Sequence, residues 1–238
     1  MFGRIKSMWA KRSPNTWIEY LRNQGMRIGE GTTIFAKPFF VTIDISRPWL
    51  IEIGKNVQIT KGVTILTHGY DGSTLKAKYG NLIGSAGKVT IGDNCFIGMN
   101  TTILKGTSIG ENCIVGASSV LTGNTYPSNC VIAGNPAKVI CTLDEYFEKR
   151  LNAQILEAKE LVVEYYKVYK EVPPKHVLSE YFWIFENRNE DITEYWFINQ
   201  MKNMNNYEDS IKRYLDTKPK FNGYNEFIEY CLKDVKRQ

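Results

Sequence analysis

The chain has 238 residues, 43% of them hydrophobic, and 30 Lys and Arg against 25 Asp and Glu give a formal charge of +5. Such a length and apolar content suffice for one buried core with an extension, yet no apolar run approaches the ~18–20 residues of a membrane span, and no dense basic stripe interleaved with aromatics marks a nucleic-acid partner. Five cysteines, an odd number without a CxxC pair, argue against a disulfide framework or a thiolate zinc site.

The first residues, MFGRIKSMWAKRS, lack the continuous apolar stretch of a secretory signal, so a cytoplasmic protein is expected. Arg4, Lys6, Lys11 and Arg12 surround Phe2 and Trp9, a composition compatible with peripheral contact to an acidic membrane surface, although a frayed terminus is commoner. Ser13 followed by Pro14 reads as an N-cap and first helical position, with Ile18 and Leu21 on one face and Gly25 as the stop. The spacing predicts a helix over about 14–24, within an N-terminal segment 1–25.

From residue 26 to 141 a different period takes over. Between 89 and 140 an aliphatic residue returns every sixth position at Ile91, Ile97, Ile103, Ile109, Val115 and Leu121. Two positions before each stands a small or β-branched residue: Val89, Cys95, Thr101, Thr107, Cys113 and Ser119. Six is even, so both columns keep the two-residue alternation of a strand and can point inward. Units of this kind, three to a turn, stack like on like as a parallel β-helix. Two cysteines fall in the small column, where packing explains them. Glycine follows the aliphatic residue at 92, 98, 110 and 116, as expected of a chain that turns a corner through positive φ. Earlier coils start at Ile28 and Ile34, lose register through AKPFFVTIDISRPWL, and resume at Ile53, Ile59 and Ile65, which makes about five coils in all. Between the two sets lies GYDGSTLKAKYGNLIGSAG, residues 69–87, which has no six-residue period and should leave the coil as an exposed loop.

After the repeat, Thr142 and Glu145 form a T-x-x-E capping box, and Leu143, Phe147, Leu151 and Ile155 recur every fourth residue. A long helix ending before Pro173 and Pro174 is expected, followed by several short helices. This extension, residues 142–238, should bury its many aromatics against the coil and close its open end.

IGDNCF, IGMNTT, IGENCI and VGASSV closely resemble the hexapeptide-repeat acyltransferases, and GNPAKVI at 134–140 resembles the final coil of their sugar O-acetyltransferases, including those of capsule and lipopolysaccharide and those acting on maltose and galactosides. Physical reasoning leaves the coil's hand open, since parallel crossovers are normally right-handed; the resemblance implies a left-handed β-helix. It further implies a homotrimer, with acetyl-CoA as donor, a sugar or polysaccharide precursor as acceptor, and no metal. A carbonic anhydrase on this fold takes three histidines around zinc, and the chain has two.

The resemblance places the catalytic base at His68, which ends VTILTH where the loop departs. An imidazole can take a proton from a hydroxyl at neutral pH. Relatives place Asp directly after this histidine; here HGYDGS puts Asp71 three positions on, where it competes with a plain Asp-Gly turn for the role of orienting residue. The relatives' asparagine of the earlier coil has no asparagine counterpart, leaving Thr42 or Asp44 as stand-ins. Coenzyme A positions carry over to Met99, Ala117, Thr122 and Lys138, with ordinary repeat packing as the competing role, above all for Ala117. Lys76, Lys78 and Tyr79 in the loop are candidate acceptor contacts, against a plain exposed charged loop. His176, after PPK, reads as a surface or packing residue. The leading reading is an O-acetyltransferase acting on a sugar hydroxyl of surface polysaccharide; the alternatives are acetylation of a free sugar, amino acid or antibiotic, and a non-catalytic scaffold.

Overall fold

The computed structural model describes residues 7–188 and 192–233. The chain divides into two compact units, Met1–Tyr146 and Phe147–Gln238.

In the first unit every third strand stacks on the last. One sheet holds β1 (Arg27–Ile28), β4 (Ile51–Ile53), β7 (Val89–Ile91), β10 (Ser108–Ile109) and β13 (Thr125–Tyr126). The second holds β2 (Thr33–Ile34), β5 (Gln58–Ile59), β8 (Phe96–Ile97), β11 (Ile114–Val115), β14 (Cys130–Gly134) and β15 (Ala137–Thr142). The third holds β3 (Thr42–Ile43), β6 (Thr64–Ile65), β9 (Thr102–Ile103) and β12 (Val120–Leu121). All pairs are parallel except β14 with β15, which makes the unit a parallel β-helix of about five coils, left-handed as the family resemblance implies.

The aliphatic column is stacked in register, Ile59 on Ile97 on Val115 on Ile132, and Ile65 on Ile103 on Leu121, all 1% exposed or less. The small column tolerates hydroxyls in this interior because each finds a carbonyl: Thr101 and Ser119 donate to the Gly116 oxygen, and Thr107 to that of Leu104. The two columns of inward side chains thus fill the coil, and these three hydroxyls are paired within it.

The corner glycines serve a purpose other than the expected one. Positive φ falls on the residues two positions later, Asn94, Asn100, Asn112 and Ser118, at 54–59°. What requires glycine is proximity: a Cβ on Gly98 would lie 2.6 Å from the Ala117 nitrogen of the next coil. At the corner after the first sheet the left-handed residues are asparagines, which adopt this conformation more readily than most side chains. Their amides form a ladder, Asn56 donating to Asn94 (3.2 Å), Asn94 to Asn112 (3.1 Å) and Asn112 to Asn129 (3.0 Å).

Helix α1 (Pro14–Asn23) begins where Ser13 accepts the Thr16 amide hydrogen, and its Trp17, Ile18 and Leu21 join the core of the coil. Arg22 ties it down by donating to the carbonyls of Ile28 and Gly29. Of the basic lead, Phe2, Arg4 and Lys6 lie outside the described residues; the Arg12 guanidinium stacks 4.0 Å over exposed Trp9. No helix among the described residues is long and apolar enough to cross a membrane.

The 69–87 insertion leaves the coil exposed, but it is not all loop. Residues Gly72–Tyr79 form helix α2 with none of its side chains buried, ended by Gly80 at φ 78°. LKAK supplies good helix formers, and no tertiary pattern announces them. GNPAKVI is likewise not another coil turn: after Gly134 at φ 108° it folds back as β15, antiparallel to β14, and covers that sheet's last edge.

Helix α3 (Leu143–Tyr169) starts at the expected box, the Thr142 amide donating to Glu145 at 2.8 Å and the Glu145 amide to the Thr142 hydroxyl at 3.2 Å. In the second unit follow α4 (Tyr195–Met201), α5 (Tyr207–Asp216) and α6 (Tyr224–Leu232). The unit has a core of its own, where Phe182 stacks on Phe197 and Phe185 on Phe227 at 4.4 and 5.3 Å between centroids. These aromatics are absorbed there. His176 stays exposed, with its ring 5.3 Å from that of Trp196.

Candidate active site

The corner after the third sheet brings two successive coils together at ionisable side chains. Asp44 follows β3, and His68 follows β6; the strands are in register through Ile43 and Ile65. Asp44 Oδ2 lies 2.6 Å from His68 Nδ1, and the two side chains are 5% and 14% exposed. Ser46 closes an Asx turn on the other oxygen, its amide (2.9 Å) and hydroxyl (2.7 Å) both donating to Oδ1. The Thr67 amide (3.2 Å) and hydroxyl donate to Oδ2. Burial would raise this carboxyl, but the hydrogen bonds from the Ser46 and Thr67 hydroxyls, the Ser46 amide and His68 outweigh it and hold Asp44 well below the usual carboxylate range.

Consequences for the imidazole follow from that charge. An ionised carboxylate only accepts, so the hydrogen between it and Nδ1 belongs to the ring, and neutral His68 keeps its lone pair on Nε2. The ring is braced from one side by Tyr70, edge to face at 4.8 Å, and Ser46 Oγ stands 3.5 Å from Nδ1. The backbone is clamped where the insertion leaves and returns: His68 bridges Ala86 antiparallel, Gly69 donates to Ser85 and Gly87 to Thr67. A rigid scaffold thus presents one basic nitrogen at the fixed root of the insertion, an arrangement suited to removing a proton from a hydroxyl.

Asp71 is not brought to the imidazole by any bond among the described residues. It stands at the N-cap position of α2 without capping it, close to Gly69. Asp44, weighed only as a stand-in for asparagine, is the carboxylate that His68 meets; Ser46, Thr67 and Tyr70 were not singled out. The D-x-S spacing of an Asx turn at 44–46 is the signal that points to the first of these. Thr42 is exposed on β3.

Met99 and Ala117 occupy the same corner on successive coils, where the Ser118 amide donates to the Met99 carbonyl at 2.7 Å. Both are exposed, so Ala117 is not committed to the packing expected of it. Thr122 is exposed on the corner that carries His68, two coils on, and exposed Lys138 lies on β15 opposite Ala133. Lys76, Lys78 and Tyr79 are exposed on α2, with Lys78 Nζ 5.1 Å from the Tyr79 ring centre. Beside the site, Arg47 buries its Nη1 without a hydrogen-bond partner among the described residues. Those residues gather no three His, Cys, Asp or Glu side chains that could hold a metal. A groove of about 650 Å³ lies over the first sheet, between Arg27, Glu52, Lys88 and Asp93, and His68 does not line it.

A family model described as bacterial transferase hexapeptide (six repeats) matches residues 88–123. Protein CapG of Staphylococcus aureus is 38% identical over 135 residues, spanning 55% of this chain and 74% of that protein. The galactoside O-acetyltransferase of Escherichia coli is 32% identical over 143 residues, spanning 59% and 68%. Among solved structures, a maltose O-acetyltransferase from Clostridium difficile superposes with a TM-score of 0.42 at 25% identity, covering 59% of this chain and 84% of that one. A hexapeptide-repeat acetyltransferase from Vibrio cholerae gives 0.41 at 28% identity, covering 50% and 62%.

Proposed function

The chain belongs to the hexapeptide-repeat acetyltransferases, and from that premise we propose that it moves the acetyl group of acetyl-CoA to a sugar hydroxyl in surface-polysaccharide biosynthesis, on the cytoplasmic side. The observation that carries the reading is the His68 imidazole held by Asp44 at 2.6 Å, with Nε2 left basic. His68 takes the hydroxyl proton as the oxygen attacks the thioester carbonyl. The tetrahedral oxyanion collapses, the carbon–sulfur bond breaks, and the coenzyme A thiolate leaves with the proton returned by the imidazolium. Asp44 stabilises the imidazolium formed on the way. Met99 and Ala117 would meet the pantetheine arm through main chain, Thr122 would meet it from the corner that carries His68, and Lys138 a phosphate as a point charge.

Acceptor-dependent release of the coenzyme A thiol, followed across galactosides, maltose, uronic acids and nucleotide sugars, tests the reading. No release with any sugar, or release with serine or an aminoglycoside alone, overturns it. The same assay reads the insertion. Changing Lys76 and Lys78 to alanine should raise the KM for the acceptor several-fold and leave that for acetyl-CoA unchanged, because these exposed cations contribute acceptor binding alone; a shift confined to acetyl-CoA would remove the role.

We further infer a homotrimer. Phe35, Phe39, Phe40 and Trp49 are each more than half exposed on the coil, more apolar surface than a lone soluble chain usually presents in one region of sequence, and the orphaned Arg47 nitrogen lies in the same stretch. Sedimentation at micromolar concentration should give three chains per particle; a stable monomer would contradict it.

A further inference from the structure

The first half of α3 does not bury the apolar stripe that its sequence spacing writes. Phe147 and Leu151 are 55% and 41% exposed, whereas Ala158 and Val162 farther along are in the core of the helical unit. Two cavities, about 330 and about 260 Å³, flank this stripe, and Phe147, Leu151 and Gln154 line both. The larger falls within the range of small-ligand sites. Its lining adds Trp183 and four cations, Arg188, Arg213, Lys218 and Lys220, against one acid, Glu148.

The charges are not neutralised internally. Arg188 is fixed by donating to the carbonyls of Glu186 (2.6 Å), Trp183 (2.7 Å) and Thr217 (3.2 Å), and it lies 4.2 Å over the Tyr214 ring. The Glu186 carboxylate is itself engaged by Lys175 at 3.0 Å. Arg213, Lys218 and Lys220 are exposed, and none of the four cations has a carboxylate partner among the described residues. Like charges held together around an aromatic floor raise the local concentration of anions.

We propose that this groove binds a saccharide bearing carboxylate or phosphate groups. Phe147 and Trp183 offer flat faces to the apolar side of a sugar ring, and the guanidinium forks and ammonium groups meet the anions. The shared wall between the cavities suits more than one sugar unit. The choice of a saccharide rests on the sugar-acetylating reading above; the cation pattern stands without it.

Titration calorimetry of the full chain with tetragalacturonate, maltotetraose and ADP tests the proposal. The acidic tetramer should bind at least about tenfold more tightly than the neutral one, and less tightly as salt is added. Arg213→Ser, Lys218→Ser and Lys220→Ser together should weaken it at least about tenfold; the side chains are exposed, and the corresponding Lys218→Arg, Lys220→Arg variant should bind as wild type. Equal affinity for maltotetraose, indifference to the triple change, or tighter binding of ADP overturns the proposal. His68→Ala should bind the acidic tetramer unchanged. A wild type that acetylates sugars but binds no tetramer sinks the groove alone, whereas one that binds the tetramer but transfers no acetyl group sinks the catalytic reading and leaves the groove standing.

Discussion

Alanine in place of His68 should lower acetyl turnover by at least about 10²-fold, the lower end of what a positioned general base contributes. The affinity for coenzyme A and the melting temperature should hardly change. The ring is 14% exposed at the coil surface rather than inside it, and no member of the aliphatic columns depends on it. The loss belongs in kcat as well as kcat/KM, because the proton moves only on the way to the tetrahedral intermediate. Steady-state kinetics beside calorimetry with coenzyme A separates the two; a variant turning over within a few-fold of wild type would remove His68 from the chemistry.

Asp44→Asn should cost about 10²–10⁴-fold in kcat through the tautomer, the effect known for a triad aspartate. Both carboxylate oxygens are fully used, Oδ1 by two donors from Ser46 and Oδ2 by Thr67 and His68. An amide has one accepting oxygen. If that oxygen serves Ser46, the NH₂ faces Nδ1, the ring hydrogen moves to Nε2, and the base is lost. Asp71→Asn should stay within a few-fold of wild type, and a larger loss from Asp71 than from Asp44 would reverse the assignment. The carboxylate also links stability to pH. Its folded value lies below that of an unfolded aspartate, about 3.9, so its stabilisation is fully present above the unfolded value and fades as pH falls below it toward the folded one. Melting temperatures taken downward from pH 5 should therefore fall more steeply for the wild type than for Asp44→Asn.

The coil was legible because its inward residues recur at a fixed interval and nothing else in the chain competes with that pattern. Ile97 and Val115 stack as written. Position 44 was harder to read. It follows a two-residue strand inside AKPFFVTIDISRPWL, where short helical turns at Pro38–Phe40 and Pro48–Leu50 break the six-residue count, so the neighbour of His68 one coil away could not be found by counting. Helix α2 was hidden for another reason: it buries no side chain, so no hydrophobic period marks it. The corner glycines show how a correct position can carry the wrong cause, since the constraint comes from the coil above and a single chain segment does not display it. In α3 the four-residue spacing located the helix but not its surroundings; the same Phe147 and Leu151 that suggested a core face line open grooves.

The two ends of the coil bear on how such a protein stays in solution and how it can change length. A stack of parallel strands ends in unpaired edges, and an edge of this kind templates the addition of another copy, as in a growing filament. Here β15 runs backward along β14, so a newcomer to that edge would meet strand polarity opposite to its own first coil. At the other end the Trp17 and Leu21 side chains of α1 occupy the core of the coil. Whole turns of the coil could be added or removed between these two stops without disturbing either.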